Sequence, residues 1–342
     1  MSAGGSARRV LVTGAAGFVG ANLARRLAAD GHHVTAAVRP ASDLWRLDDG
    51  ADAGFELRRL DITDADSVER AVAEIRPEWA FHVAAHGAFS WQDDARAIFQ
   101  TNVLGTVNLV EACRAAGCEA LVNAGSSSEY GYKDHAPDEE EPLEPNSDYA
   151  VAKAAATLYC RQAAREGPMR VVTLRLYTVY GPWEHPGRLL ATLIARGLEG
   201  ELPPLADPGV ARDFVAVDDT VDAFLVAIGS EPASGAVYNV GSGRQTSLAE
   251  AVELARRELG IEARPEWGAA PSRRWDTSTW VANTARIERE LGWRPQTTLE
   301  EGFRAMADWV RTTPAAWPVY GVSARSAAGS SPPAAPPGAP SR

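Results

Sequence analysis

Cysteine, methionine, positive charge and long apolar runs are all in short supply in this chain. Its 342 residues include three cysteines and three methionines. Cys113, Cys118 and Cys160 are odd in number, fall in stretches that read as helices and lack metal-ligand spacing, so neither a disulfide framework nor a metal site is expected. That usage fits a reducing cytoplasm. Arginine and lysine total 34 against 45 acidic residues, a net charge of −11, which excludes nucleic acid and anionic membrane as general partners. An anionic ligand therefore needs arginines gathered locally. No run is long and apolar enough for a membrane span, and Met1 to Ser6 leaves no room for a signal core, so a soluble cytoplasmic protein is expected. Residues 322–342, rich in Pro, Ala and Ser, read as a disordered tail.

What is present is glycine at one telling spacing. The run from Arg9 is short and apolar, stops at Gly14, Gly17 and Gly20, and passes into an amphipathic helix over Phe18 to Ala29. A strand, a tight turn and a helix start offer free backbone N–H groups to a phosphate, with Gly20 letting the helix lie close on the strand. A glycine turn kept only for a tight connection is the alternative. The strand before it and the helix after it favour cofactor binding. With Thr13 in front, Thr-Gly-x-x-Gly-x-x-Gly resembles the extended short-chain dehydrogenase/reductase superfamily, the NAD(P)-dependent nucleotide-sugar epimerase/dehydratase group.

The resemblance implies an α/β fold, a doubly wound parallel sheet of Rossmann type with a smaller mixed α/β lobe. Residues 8–176, with returning segments from 177–245, would form the NAD(P)-binding domain, and 177–312 mainly the substrate lobe. Cofactor contacts are expected from Thr13, Gly14, Gly17, Phe18, Val19 and Gly20, from Asp61 and Ile62 beside the adenine, and from Ala84 and Ala85 along the ribose and diphosphate. Strand His33 to Val38 ends at Arg39 with no acid at its tip, which leans toward NADP over NAD, although Asp43 lies close by. His86 reads as a local hydrogen-bonding group rather than a catalyst. Asn102, in a helix over Thr101 to Ala116, matches an asparagine that braces the active-site strand in the family. The acidic stretch Asp138 to Glu141 reads as a solvated loop.

Ser126, Tyr149 and Lys153 carry the chemistry. Tyr149 and Lys153 are four apart and share one face of a helix over Ala150 to Ala164, so an ammonium can favour the phenolate of a group whose pKa in water is ~10. Tyr149 would act as general acid/base, with Ser126 holding the same sugar oxygen. In the family's sugar 4,6-dehydratases a glutamate two positions before the tyrosine of this segment strips the C5 proton. Here that position is Ser128, preceded by Ser127, so dehydration is disfavoured. Reduction of a nucleotide-linked 4-keto-6-deoxyhexose is the first expectation and C4 epimerisation with tightly bound NAD the second. A non-sugar ketone reductase and a non-catalytic cofactor sensor follow.

For substrate contacts the resemblance points to Ser127, Ser128 and Thr178, the last standing where asparagine is usual in Arg-x-x-Asn-x-Tyr-Gly-Pro. Arg212, in Arg-Asp-Phe-Val-x-Val-x-Asp, and Arg273 would grip the substrate diphosphate. Trp91 and Trp183 could line the sugar pocket, but ten tryptophans in one chain mostly serve packing, and neither is counted as a site residue. Family members commonly dimerise through a four-helix bundle, here Asp93 to Ala116 and Tyr149 to Ala164 from each subunit.

Overall fold

The computed structural model describes residues 6–47, 54–270, 277–323 and 326. Alternating short apolar strands and amphipathic helices open the chain: β1 (Arg9–Thr13), α1 (Phe18–Ala29), β2 (His33–Val38), β3 (Phe55–Arg59), α2 (Ala65–Ile75) and β4 (Trp79–His82). Next comes α3 (Ala95–Phe99), which runs through a π-helical turn, Gln100–Leu104, into α4 (Gly105–Ala115), then β5 (Ala120–Ser126), α5 (Asp148–Ala163) and β6 (Arg170–Leu176). The remainder is β7 (Thr178–Tyr180), α6 (Leu189–Leu198), β8 (Ala211–Ala216), α7 (Val217–Gly229), β9 (Val237–Val240), β10 (Gln245–Ser247), α8 (Leu248–Leu259), α9 (Ala285–Leu291), α10 (Leu299–Thr312) and the short α11 (Trp317–Tyr320). The expected helix over Thr101 to Ala116 thus begins earlier and carries a bulge.

Seven strands pair in parallel in the order β3, β2, β1, β4, β5, β6, β9. The strand β1 shows why the layers form. Val10 and Val12 point into a core built with Leu23 and Leu27 of α1 and Phe224 of α7, whereas Leu11 points into a second core with Val68 and Val72 of α2 and Leu109 of α4. Side chains alternate across a strand, so a continuously apolar strand needs helices on both faces. A three-stranded sheet, β10, β8, β7, sits apart with α6, α8 and α10 around Phe214, Ile194, Val252 and Phe303. The strand order reverses between β1 and β4, and the carboxyl ends of the sheet open there.

Val322 is buried, and the side chains of Ser323 and Ser326 bond each other, with Ser326 also donating to Glu199. Contacts with the body of the protein therefore continue into the stretch expected to be a tail; the rest of 322–342 lies outside the described residues. Among the described residues no helix is long and apolar enough to cross a membrane.

The tightest packing lies at the first turn. Gly14 adopts φ +71°, and a Cβ there would stand 2.6 Å from the backbone of Ala84, while one on Gly20 would stand 2.3 Å from the Gly14 carbonyl oxygen. Gly20→Ala is expected to cost about 1–3 kcal/mol through overpacking against backbone that cannot yield, read as a lowered Tm in thermal unfolding. An unchanged Tm would show that the helix can back away from the strand.

Candidate active site

A cavity of about 1250 Å³ occupies the crevice at the strand ends. Thr13, Gly14, Gly17, Phe18, Val19 and Gly20 line it from the first turn, Arg39, Asp61, Ile62, Ala84 and Ala85 from the following strand ends, and Ser126, Ser127, Ser128, Tyr149, Lys153, Thr178 and Arg212 from the far side. Arg273 lies outside the described residues. Neither Trp91 nor Trp183 lines the cavity. Trp91 stacks on Phe89 at 4.6 Å in solvent, and Trp183 is buried against Trp45 and Trp309, with the Arg25 guanidinium 4.2 Å from its ring centroid.

The first turn suits a diphosphate. Gly17 caps α1 without a side-chain bond, no acid stands in the first turn, and the Gly17 N–H closes on the Gly14 carbonyl at 2.8 Å. The helix dipole and uncapped N–H groups remain for an anion, in a cradle that side chains would fill. The glycine strand is steadied from behind by His82, whose ring lies between the hydroxyls of Thr13 (2.8 Å) and Thr106 (2.9 Å). Burial, with the charge of Lys153, lowers that imidazole to about 3, so it is neutral. Thr106 in turn donates to the Asn102 carbonyl at 2.6 Å. The π turn thus meets the cofactor side of the sheet, and Asn102 pairs with both backbone groups of His86, at 2.9 and 2.7 Å. It braces the loop after β4 rather than β5, a correction to the expected role.

Ser147 caps α5 by accepting from the Ala150 N–H at 3.2 Å, which sets Tyr149 in the first turn and Lys153 one turn on. Burial raises the Tyr149 phenol, opposed by hydrogen bonding from Ser126 and by the charge of Arg188. Lys153, one of two lysines in the chain, is buried and donates its Nζ to the Ala124 carbonyl. Burial lowers its pKa, while the negative charge of Glu129 holds it up. The ammonium is turned to the end of β5, and Ser126 and Arg188 act on the phenol.

Ser126 ends β5 and begins a 3-10 turn, Ser127–Tyr130, with its Oγ 2.8 Å from that of Ser128. The residue behind this turn is Glu129, fully buried. It accepts from the Ser126 N–H at 2.8 Å, from Thr157 of α5 at 3.0 Å and from Arg175 Nε of β6 at 2.9 Å. Arg175 continues to the Tyr130 hydroxyl (2.8 Å) and the Glu139 carbonyl (3.1 Å), and Tyr130 donates to Asn239 Oδ1 at 2.7 Å. Glu139 is itself buried, accepting from the Asn239 N–H at 2.8 Å, so the acidic stretch Asp138 to Glu141 is not simply solvated. One of its carboxylates closes this network.

On the far side of the cavity Thr178 pairs in register with Phe214, two residues from Arg212 in β8. The Arg212 guanidinium lies 5.7 Å from the centroid of Trp280, another lining residue. Asp213 fixes this corner by accepting from the N–H groups of Ser242, Gly243 and Ala282 at 2.6, 3.0 and 2.9 Å. Four more lining residues, Arg46, Glu184, His185 and Arg188, were not expected. Their only mark in the sequence is a cluster of ionisable residues just past Gly181-Pro182, and Arg46 has no mark at all. Replacing Glu129 by Gln would leave Arg175 as an uncompensated buried charge, with an expected loss of about 3–5 kcal/mol in denaturant unfolding. A loss below about 1 kcal/mol would mean that the pair is not holding the site.

Comparison with known proteins places these residues in context. The NAD dependent epimerase/dehydratase family matches residues 10–241. A UDP-glucose 4-epimerase of Mycolicibacterium smegmatis is 35% identical over 312 residues, spanning 89% of this chain and 98% of the relative. A GDP-6-deoxy-D-mannose reductase of Pseudomonas aeruginosa is 31% identical over 315 residues, 88% and 97% of the two chains. The solved UDP-glucose 4-epimerase of Thermus thermophilus in complex with NAD superposes with a TM-score of 0.80 at 32% identity, covering 89% of this chain and 99% of that one.

Proposed function

This chain belongs to the NAD dependent epimerase/dehydratase family, and from that premise we propose that it is a nucleotide-sugar 4-epimerase, with Ser126, Tyr149 and Lys153 as its catalytic residues. The observation that carries the reading is the convergence of the glycine turn, the Tyr149 phenol, the serines and Arg212 on one cavity. When bound, a nicotinamide dinucleotide supplies reversible hydride acceptance. The residues lining the turn, from Thr13 to Gly20 with Asp61, Ile62, Ala84 and Ala85, would hold it.

Tyr149 takes the proton from the sugar C4 hydroxyl as C4 is oxidised and gives it back to the same oxygen on reduction. Ser126 keeps that oxygen aligned. Arg212 retains the diphosphate while the 4-keto hexose turns over between the two half-reactions, and the room in the cavity permits that turn. Ser127, Ser128 and Thr178 offer the hydroxyls that meet the sugar. Dehydration needs a base at C5, and Glu129, the carboxylate of this segment, is occupied by Arg175 and Thr157 behind the turn. Residues 177–312 then serve mainly as the substrate lobe.

The 4-ketoreductase expected first from the sequence becomes the second reading. Arg39 favours it, since this side chain lines the cavity at the tip of β2 as an NADP 2′-phosphate would require. Mass spectrometry of the nucleotide released on denaturation separates the two. Retained NAD is the expected result for an epimerase that completes both half-reactions on one cofactor, and an empty protein preferring NADPH would establish the reductase. Tyr149→Phe should lower kcat at least ~10²-fold with dinucleotide affinity nearly intact, and wild-type turnover in that variant would remove Tyr149 from the mechanism.

We further infer a homodimer through α3, α4 and α5. Phe99, Leu104, Val151 and Leu158 of these packed helices are 38%, 54%, 38% and 56% exposed, an apolar face suited to a second copy. Leu104→Asp with Leu158→Asp is expected to convert a dimer to a monomer in light scattering. A wild-type monomer would refute the interface.

A further inference from the structure

Just past the turn at Gly181-Pro182 the chain holds a carboxyl group with one oxygen that no protein atom bonds. Glu184 is 4% exposed and lines the same cavity as the glycine turn, and its Oε2 has no hydrogen-bond partner. Its backbone, by contrast, is fixed at both ends. The N–H donates to the Gly181 carbonyl at 3.1 Å, and the carbonyl accepts from the Tyr320 hydroxyl at 2.7 Å. A buried and unpaired polar atom on a cavity wall, carried by a fixed stretch of backbone, calls for a partner from a ligand.

The surroundings identify the chemistry of that partner. Arg46 donates Nε to the Trp183 carbonyl at 2.7 Å and Nη1 to the Ala16 carbonyl at 3.4 Å. One guanidinium therefore joins the glycine turn to the residue directly before Glu184. Arg188, at the N-cap of α6, and His185 line the cavity beside it, and the phenols of Tyr180 and Tyr320 are the other titratable groups that sense its charge. Neither guanidinium hydrogen-bonds Oε2. Burial pushes the carboxyl up to about 8, only partly offset by the charges of Arg188 and Arg46. At neutral pH the group therefore carries a proton and can donate, and beside two guanidinium groups and a helix N-terminus the matching acceptor is a phosphate oxygen.

We propose that Glu184 is a ligand-binding residue that donates a hydrogen bond to a diphosphate oxygen of a nucleotide in the cavity, completing with Arg46 the anion site begun by the glycine turn. This rests on the reading of the cavity as a nucleotide site. A dinucleotide and a nucleotide sugar both carry the group, and the test distinguishes them. Once Glu184 ionises, the donor becomes a negative charge facing a negative phosphate.

Tryptophan fluorescence titration would measure Kd for NAD, and for UDP with NAD saturating, between pH 6.5 and 9.5 in wild type and in Glu184→Gln. In wild type the affinity for one of them should fall about 10-fold as pH rises through about 8, whereas Glu184→Gln, which keeps a donor and cannot ionise, should hold steady. The nucleotide that responds is the one Glu184 touches. Glu184→Leu should weaken that nucleotide about 10-fold already at pH 7 and leave adenosine, which has no phosphate, unaffected. Parallel pH profiles in wild type and Glu184→Gln for both nucleotides would overturn the proposal while leaving the proposed function standing. A wild-type protein that binds neither nucleotide would overturn both.

Discussion

Glu129 meets no water, and the catalytic edge of the sheet is assembled around it. Its two oxygens reach the Ser126 N–H at the end of β5, Thr157 in α5 and Arg175 in β6. These are the elements that carry the serine, the tyrosine with its lysine, and the start of the substrate side. Burying such a pair costs several kcal/mol per ion before any attraction is counted. The return is geometric. An apolar contact would let the turn after β5 slide, whereas three directed bonds to one carboxylate set the serine hydroxyl and the helix relative to each other.

The second constraint is electrostatic. The chain is acidic, yet its cavity is lined with arginine. Arg39, Arg46, Arg188 and Arg212 all line the cavity. A guanidinium keeps its charge when partly buried and binds phosphate with a planar fork of donors. Lysine behaves otherwise, and burial pulls Lys153 down from its ordinary value. Arginine thus gives this cavity a positive charge that burial does not remove.

Much of this arrangement was legible in the order of residues. The ends of α1 and β2 fall where glycine spacing and apolar periodicity put them, and the parallel sheet follows from alternating strands and helices. Every predicted site residue within the described part faces the one cavity. These signals are local: a turn that needs glycine, a helix face set by residues four apart, a strand buried on both sides. Several of the expectations that miscarried concern partners distant in sequence. Glu139 looked solvated because its neighbours are acids, yet its carboxylate meets Asn239, a hundred residues on. Asn102 was assigned to the wrong strand, and it pairs instead with the backbone of His86.

The sequence by itself therefore determined the fold class and the glycine turn, and brought out Ser126, Tyr149 and Lys153 as the candidate trio, because each depends on residue type at short spacing. Only the tertiary structure decided which proton acceptors and donors those residues face. Lys153 turns to a strand carbonyl, Glu129 is withdrawn behind the turn, and Arg46 and Glu184 enter the cavity from segments with no motif. Protonation and pairing depend on burial and on neighbours brought together by the sheet, and neither is encoded at a spacing that a linear reading can see.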